Sequence, residues 1–118
     1  MIVEDNEKNR RLVRDVLQFK GYQTIETETG EEGVELARTR HPALVLMDIQ
    51  LPGIDGITAL RQLREDPATR SIRVMAVTAS AMTQDRQTIL AAGFDGYQSK
   101  PINVKGFLEA VQELLARP

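Results

Sequence analysis

Pro42-Ala43-Leu44-Val45-Leu46-Met47-Asp48-Ile49-Gln50-Leu51-Pro52-Gly53 occupies positions 42–53 of the chain. Five apolar residues, 43–47, run without a break, stop on a carboxylate, and give way to a Pro-Gly turn signal. So short a run, with no alternation, predicts a strand buried on both faces, as in a parallel sheet covered by helices. Val74-Met75-Ala76-Val77 is a second run of the same kind.

Around these two strands the period changes. Leu12, Val13, Val16, Leu17 and Phe19 recur at helical spacing, and Gly21 ends that helix. Residues 23–28 are a polar strand rich in Thr and Ile, and a helix follows over about 31–40, with Val34 and Ala37 inward and Pro42 as its stop. His41 at that helix end suits a dipole or surface role. Ile57, Leu60 and Leu63 form the next stripe, closed by Asp66-Pro67. Ile89, Leu90 and Ala92 mark a weaker helix ending at Gly93, and Tyr97-Gln98-Ser99 a short polar strand. Val104, Phe107, Leu108, Val111, Leu114 and Leu115 give the clearest amphipathic stripe. Phe19 and Phe107 are expected in the core. Only Met1-Ile2-Val3 precede the acidic pair Glu4-Asp5, a shorter first strand than such a sheet leads one to expect.

Five strands, each followed by a helix, predict an α/β fold with a parallel sheet and helices on both faces. The apolar strands belong inside and the polar ones, 23–28 and 97–99, at the edges. The flavodoxin-like doubly wound (βα)5 sandwich, strand order 2-1-3-4-5, meets both demands. The 118 residues hold neither repeat nor linker, so 1–118 is expected to be a single domain.

Composition narrows the function. With a net charge of -2 and basic residues scattered, a nucleic-acid surface is not expected. The absence of cysteine removes disulfides, thiolate nucleophiles and zinc-thiolate sites, and fits a reducing cytoplasm. No apolar run approaches membrane-spanning length, and no signal peptide is evident.

In an open α/β sheet, ligands bind at the carboxyl ends of the strands, near the point where strand order reverses. The first strand ends at Glu4 and Asp5, the third at Asp48, the fourth at Thr78 and the fifth at Lys100. Three carboxylates brought together repel, and at least one pKa must rise unless a counter-charge is present. A hard cation such as Mg²⁺, which prefers a few carboxylates, a carbonyl and waters, relieves that conflict. A carboxylate beside it can attack a phosphoryl group to give an aspartyl phosphate. Thr78 can donate a hydrogen bond to one phosphoryl oxygen and Lys100 can bring positive charge to another. Each residue also has a plainer reading. Glu4-Asp5 suits a helix cap, Asp48 a loop, and Lys100 solvated surface. The coincidence at four strand ends favours a site over four separate accidents.

Those residues sit in wording that resembles the receiver (CheY-like) domain of two-component response regulators. The matching segments are Val3-Glu4-Asp5-Asn6, Leu46-Met47-Asp48-Ile49-Gln50-Leu51-Pro52-Gly53-Ile54-Asp55-Gly56, Val77-Thr78-Ala79 and Ser99-Lys100-Pro101, in order over nearly the whole length. Around 47–52, 77–82 and 99–102 the chain is similar to the single-domain DivK-like type, and receivers of hybrid histidine kinases share much of this.

The resemblance implies roles. Asp48 is expected to be the phosphoacceptor. Asp5 is expected to bind Mg²⁺ directly, Glu4 through water, and Gln50 through its backbone carbonyl. Thr78 and Lys100 are expected to hold the phosphoryl group, with Thr78 and Tyr97 as the switch. The donor implied is a sensor histidine kinase or histidine phosphotransfer protein. Output to a downstream protein is expected through residues 83–92, 96–99 and 104–116. Such a chain is a cytoplasmic signalling switch rather than an enzyme, apart from catalysing its own phosphoryl uptake and hydrolysis. A cis Lys100–Pro101 bond is expected. Gln50 and Ser80 are expected to flank the path of attacking water.

Two other classes fit less well. A flavodoxin-like cofactor protein needs a Ser-, Thr- or Gly-rich phosphate loop where this chain has Glu4-Asp5-Asn6. An Asp-nucleophile phosphatase needs a second acid two residues after the first, where Gln50 stands. A receiver that is one piece of a larger regulator is a third possibility.

Overall fold

The run 44–48 is the middle strand of a five-stranded parallel sheet in the computed structural model, which describes residues 1–79 and 83–116. The elements are β1 (Ile2–Val3), α1 (Glu7–Phe19), β2 (Glu26–Thr27), α2 (Gly30–Arg40), β3 (Leu44–Asp48), α3 (Gly56–Glu65), β4 (Arg73–Thr78), α4 (Thr83–Ala91), β5 (Gly96–Ser99) and α5 (Val104–Ala116). The strand order is β2-β1-β3-β4-β5, all parallel. Strand order reverses beside β1 and β3, so their carboxyl ends open onto a crevice.

The unbroken apolar strands feed two cores. Val45 and Met47 of β3, with Val74 and Ala76 of β4, face Val34, Ala37, Ala59, Leu60, Leu63 and Ile89 on one side. Leu44, Leu46, Met75 and Val77 face Val13, Leu17, Phe107, Val111 and Leu114 on the other. Alternate residues therefore go to opposite faces, and all five residues of β3 are buried.

Two sequence expectations need correction. Phe19 is not core but 86% exposed. It lies two residues past the buried Leu17, about 200° further round the helix, and so on the opposite face. The second strand is confined to Glu26–Thr27 instead of spanning 23–28. At the sheet edge it has a single neighbour, β1, itself only two residues long. His41 is the cap of α2, in the left-handed region at φ 47°. Among the described residues no helix is long and apolar enough to cross a membrane.

Candidate functional site

Strand ends and helix caps bring the polar residues together. The last rung from β1 to β2 is the Glu4 N–H to the Thr27 carbonyl, 3.0 Å. Asn6 then caps α1, its side chain accepting from the Asn9 N–H at 3.0 Å, while its own N–H donates to Glu4 Oε2 at 3.2 Å. Glu4 and Asp5 are thus confined to a short turn between strand and helix. Asp48 is the last residue of β3, and α3 begins tightly against it. A Cβ on Gly56 would stand 2.4 Å from the Asp48 carbonyl oxygen, so only glycine allows that approach.

Glu4 and Asp48 are each 5% exposed, whereas Asp5 faces solvent. Carboxylate oxygens of Glu4, Asp5 and Asp48 lie within 4.8 Å of one another. Lys100, just past β5, donates from Nζ to Glu4 Oε1 at 2.5 Å and to Asp48 Oδ2 at 2.9 Å. The Gln50 N–H donates to Asp48 Oδ1 at 3.0 Å. Thr78 is buried at the end of β4, and its carbonyl accepts from the Lys100 N–H at 2.8 Å. The Lys100–Pro101 bond is cis.

The electrostatics follow from this crowding. Burial, and then the hydrogen-bonded approach of Asp48, push the Glu4 carboxyl up to about 7 against the opposing pull of Lys100 and the Asn6 N–H. Burial also works against the Lys100 charge, but its bonds to Glu4 and Asp48 outweigh that and hold the ammonium above its usual range. One ammonium among three carboxylates leaves an acid surplus. The donors are all hard oxygens, so the set suits a hard divalent cation and not a soft one.

The response regulator receiver domain family matches residues 1–112. The chain belongs to that family. The receiver is 48% identical to the polar-differentiation response regulator DivK of Brucella ovis over 115 residues, covering 98% of this chain and 94% of that protein. It superposes on the receiver domain of the sensor histidine kinase PA1611 of Pseudomonas aeruginosa with a TM-score of 0.91 at 30% identity, covering 98% of this chain and 95% of that one. That structure has a magnesium ion coordinated in its active-site cleft. The receiver of a signal transduction histidine kinase from Syntrophus aciditrophicus superposes with a TM-score of 0.88 at 30% identity, covering 98% and 87% of the two chains. The chain is therefore a response-regulator receiver, a two-component signalling module of DivK-like type.

Of the residues expected from sequence, Glu4, Asp5, Asp48 and Lys100 are brought together, and the Gln50 backbone and Thr78 adjoin them. The Gln50 side of the loop is exposed. Tyr97 lies one strand away, half-buried, with the Arg86 guanidinium 5.8 Å from its ring centre. Ser80 lies outside the described residues. Sequence reasoning missed Arg10, which donates from Nη1 to the Glu4 carbonyl at 3.0 Å. Arg10 sits on the polar side of α1, and nothing in its neighbours marks it off from a solvated arginine.

Proposed function

We propose that residues 1–118 act as one receiver domain that takes a phosphoryl group onto Asp48. The convergence of Asp48 with two further carboxylates and Lys100 carries this reading. Glu4, Asp5, Asp48 and the Gln50 backbone carbonyl would hold Mg²⁺. When bound, the ion supplies positive charge that offsets the acid surplus and the charge on the phosphoryl oxygens.

The chain's own groups do the rest. An Asp48 carboxylate oxygen forms the new bond to phosphorus. The phosphorus–nitrogen bond of a donor phosphohistidine breaks, its electron pair stays on the imidazole, and that ring takes a proton. The Gln50 N–H keeps Asp48 oriented by holding Oδ1. Lys100 already touches Asp48 Oδ2, so it can exchange that contact for a phosphoryl oxygen. The Thr78 hydroxyl donates to a second oxygen.

The phosphoryl group adds about -1.5 to -2 of charge. Thr78 moves toward it, and Tyr97 turns into the space released. Output then passes through residues 83–92, Gly96–Ser99 and Val104–Ala116. The donor is a sensor histidine kinase or histidine phosphotransfer protein, the receiver of the signal is a downstream protein, and the setting is cytoplasmic. Gln50 flanks the path of the water that hydrolyses the acyl phosphate.

Intact mass spectrometry after incubation with acetyl phosphate and Mg²⁺ tests this. The protein should gain one phosphate, mapped to Asp48. Asp48→Asn should gain none, and EDTA should suppress uptake in the wild type. Uptake that ignores EDTA, or that maps elsewhere, overturns the proposal.

A further inference from the structure

Arg10 is in the first turns of α1, outside the groups that touch the phosphoryl chemistry. Its side chain is only 15% exposed, and each of its nitrogens is engaged. Nη1 donates to the Glu4 carbonyl at 3.0 Å, Nε lies 3.6 Å from Glu26 Oε1, and Nη2 lies 3.3 Å from Glu28 Oε1. Arg14 lies 3.6 Å from Glu26 as well. Arg14 also lies 3.3 Å from Asp15, so two arginines and three carboxylates cluster beside the end of β2. The charge of Arg10 is already balanced there. What it offers the acidic turn is a directed N–H.

That N–H lands where the strand ladder runs out. The final rung to β2 uses the Glu4 N–H, and the Glu4 carbonyl lies one step beyond it. A peptide unit is planar, so holding this carbonyl also sets the plane of the Asp5 amide. Together with the Asp5 φ, that plane sets the direction in which the Asp5 side chain leaves the backbone. The cap at Asn6 holds the other side of the same turn. Asp5 itself is solvent-facing, so the backbone is what keeps it in place.

We infer that Arg10 is a positioning residue for the metal-binding turn, bracing the Glu4–Asp5 peptide against the Glu26 and Glu28 carboxylates of the sheet edge. The inference rests on the Mg²⁺ reading proposed above. Arginine suits the task because its planar fork reaches a carbonyl and two carboxylates in fixed directions, whereas lysine offers a single flexible point of charge.

The test is a Mg²⁺ titration of ¹⁵N-labelled wild type, Arg10→Met and Arg10→Lys, followed by the amide shifts of Asp5 and Asn6. Two controls accompany it: urea unfolding in EDTA, and the rate of phosphate uptake from acetyl phosphate at saturating Mg²⁺. Arg10→Met should weaken Mg²⁺ binding roughly 10-fold, the lower end of what loss of an outer partner of a metal ligand costs. Its uptake rate at saturating Mg²⁺ should stay close to wild type, a split that mere loss of stability would not produce. Arg10→Lys should fall between the two. A folded Arg10→Met that binds Mg²⁺ as the wild type does overturns the inference. If the Met variant does not fold, the Lys variant decides, since full Mg²⁺ affinity there would mean that charge suffices and geometry does not matter. Absence of any Mg²⁺-induced shift in the wild type would instead overturn the metal reading itself.

Discussion

Both ends of the sheet hold a cation against acid, and they differ in balance. At the carboxyl end, Lys100 faces the carboxylates of Glu4 and Asp48, with Asp5 close by. At the amino end, Arg64 is matched by one acid, Asp95, at 2.9 Å. Arg64 also donates to the carbonyls of Arg70 at 2.9 Å, Ile72 at 2.7 Å and Gly93 at 3.4 Å. Asp95 Oδ2 accepts the Val74 N–H at 2.9 Å. The lower cluster is closed, because each group answers another within the chain. The upper one holds more carboxylates than its single ammonium balances, and on the Mg²⁺ reading proposed above that excess is its capacity to bind. The first arrangement secures loops, while the second holds charge ready for a partner at some cost in stability.

The largest expected effect comes from breaking the closed cluster. Arg64→Ala strips three carbonyls of a donor and leaves Asp95 without its cation. Full burial would make such a loss about 3–5 kcal/mol. Arg64 and Asp95 are 27% and 21% exposed, so solvent moderates it to about 2–3 kcal/mol. Urea unfolding should show that loss, with phosphate uptake per folded molecule unchanged. An Arg64→Ala protein as stable as the wild type would erase the distinction between the two ends.

The open cluster should respond with the opposite sign. In EDTA, Asp5→Asn removes one like charge from the trio and should raise stability by about 1 kcal/mol. With Mg²⁺ present the order should reverse, because only the wild type gains from binding, by about 2.7 kcal/mol at a hundredfold excess over Kd. Parallel urea curves with and without Mg²⁺ show whether the two lines cross. If Asp5→Asn is destabilising in EDTA, the acid surplus carries no cost and the comparison fails there.

Which parts were legible in the sequence follows from how far each residue's partner lies along the chain. The strand 44–48 was readable because burial on both faces leaves an unbroken apolar run. The site was readable because strand ends in a parallel sheet share one rim, so Glu4, Asp48, Thr78 and Lys100 could be matched without knowing any contact. Phe19 misled because helical spacing alone does not say which face of the helix turns inward, and the buried one passes through Val13 and Leu17. Arg10 and Arg64 were not readable. Their partners, Glu26, Glu28 and Asp95, lie 16 to 31 positions away and look like surface acids until the fold brings them in. A local pattern reports burial well. It reports a long-range polar bond only where topology has already named the meeting place.

The smallest expected effect sharpens the comparison within the upper rim itself. Asp55 follows the same β3 loop but serves structure. It is the N-cap of α3, and its Oδ1 accepts the Thr58 N–H at 2.8 Å. That backbone hydrogen bond, against a small opposing effect of burial, lowers its pKa, whereas the Glu4 pKa is raised. The two acids thus have opposite relations to folding: the fold favours the charge on Asp55 and opposes it on Glu4. A carboxyl whose folded pKa is depressed contributes stability that is present above its unfolded pKa, near 4, and is lost as pH falls through the folded value. Asp55→Ala should therefore cost about 1 kcal/mol at neutral pH. Asp55→Asn should cost little, since asparagine caps as well. The gap between wild type and Asp55→Ala should hold steady from neutral pH down to about 4 and then narrow, while the gap between the Asn and Ala variants stays flat. Urea midpoints measured at several pH values in EDTA resolve both trends. A wild-type advantage that persists undiminished well below pH 4 would mean that Asp55 caps the helix without its charge. The contrast between the two acids would then rest on Glu4 alone.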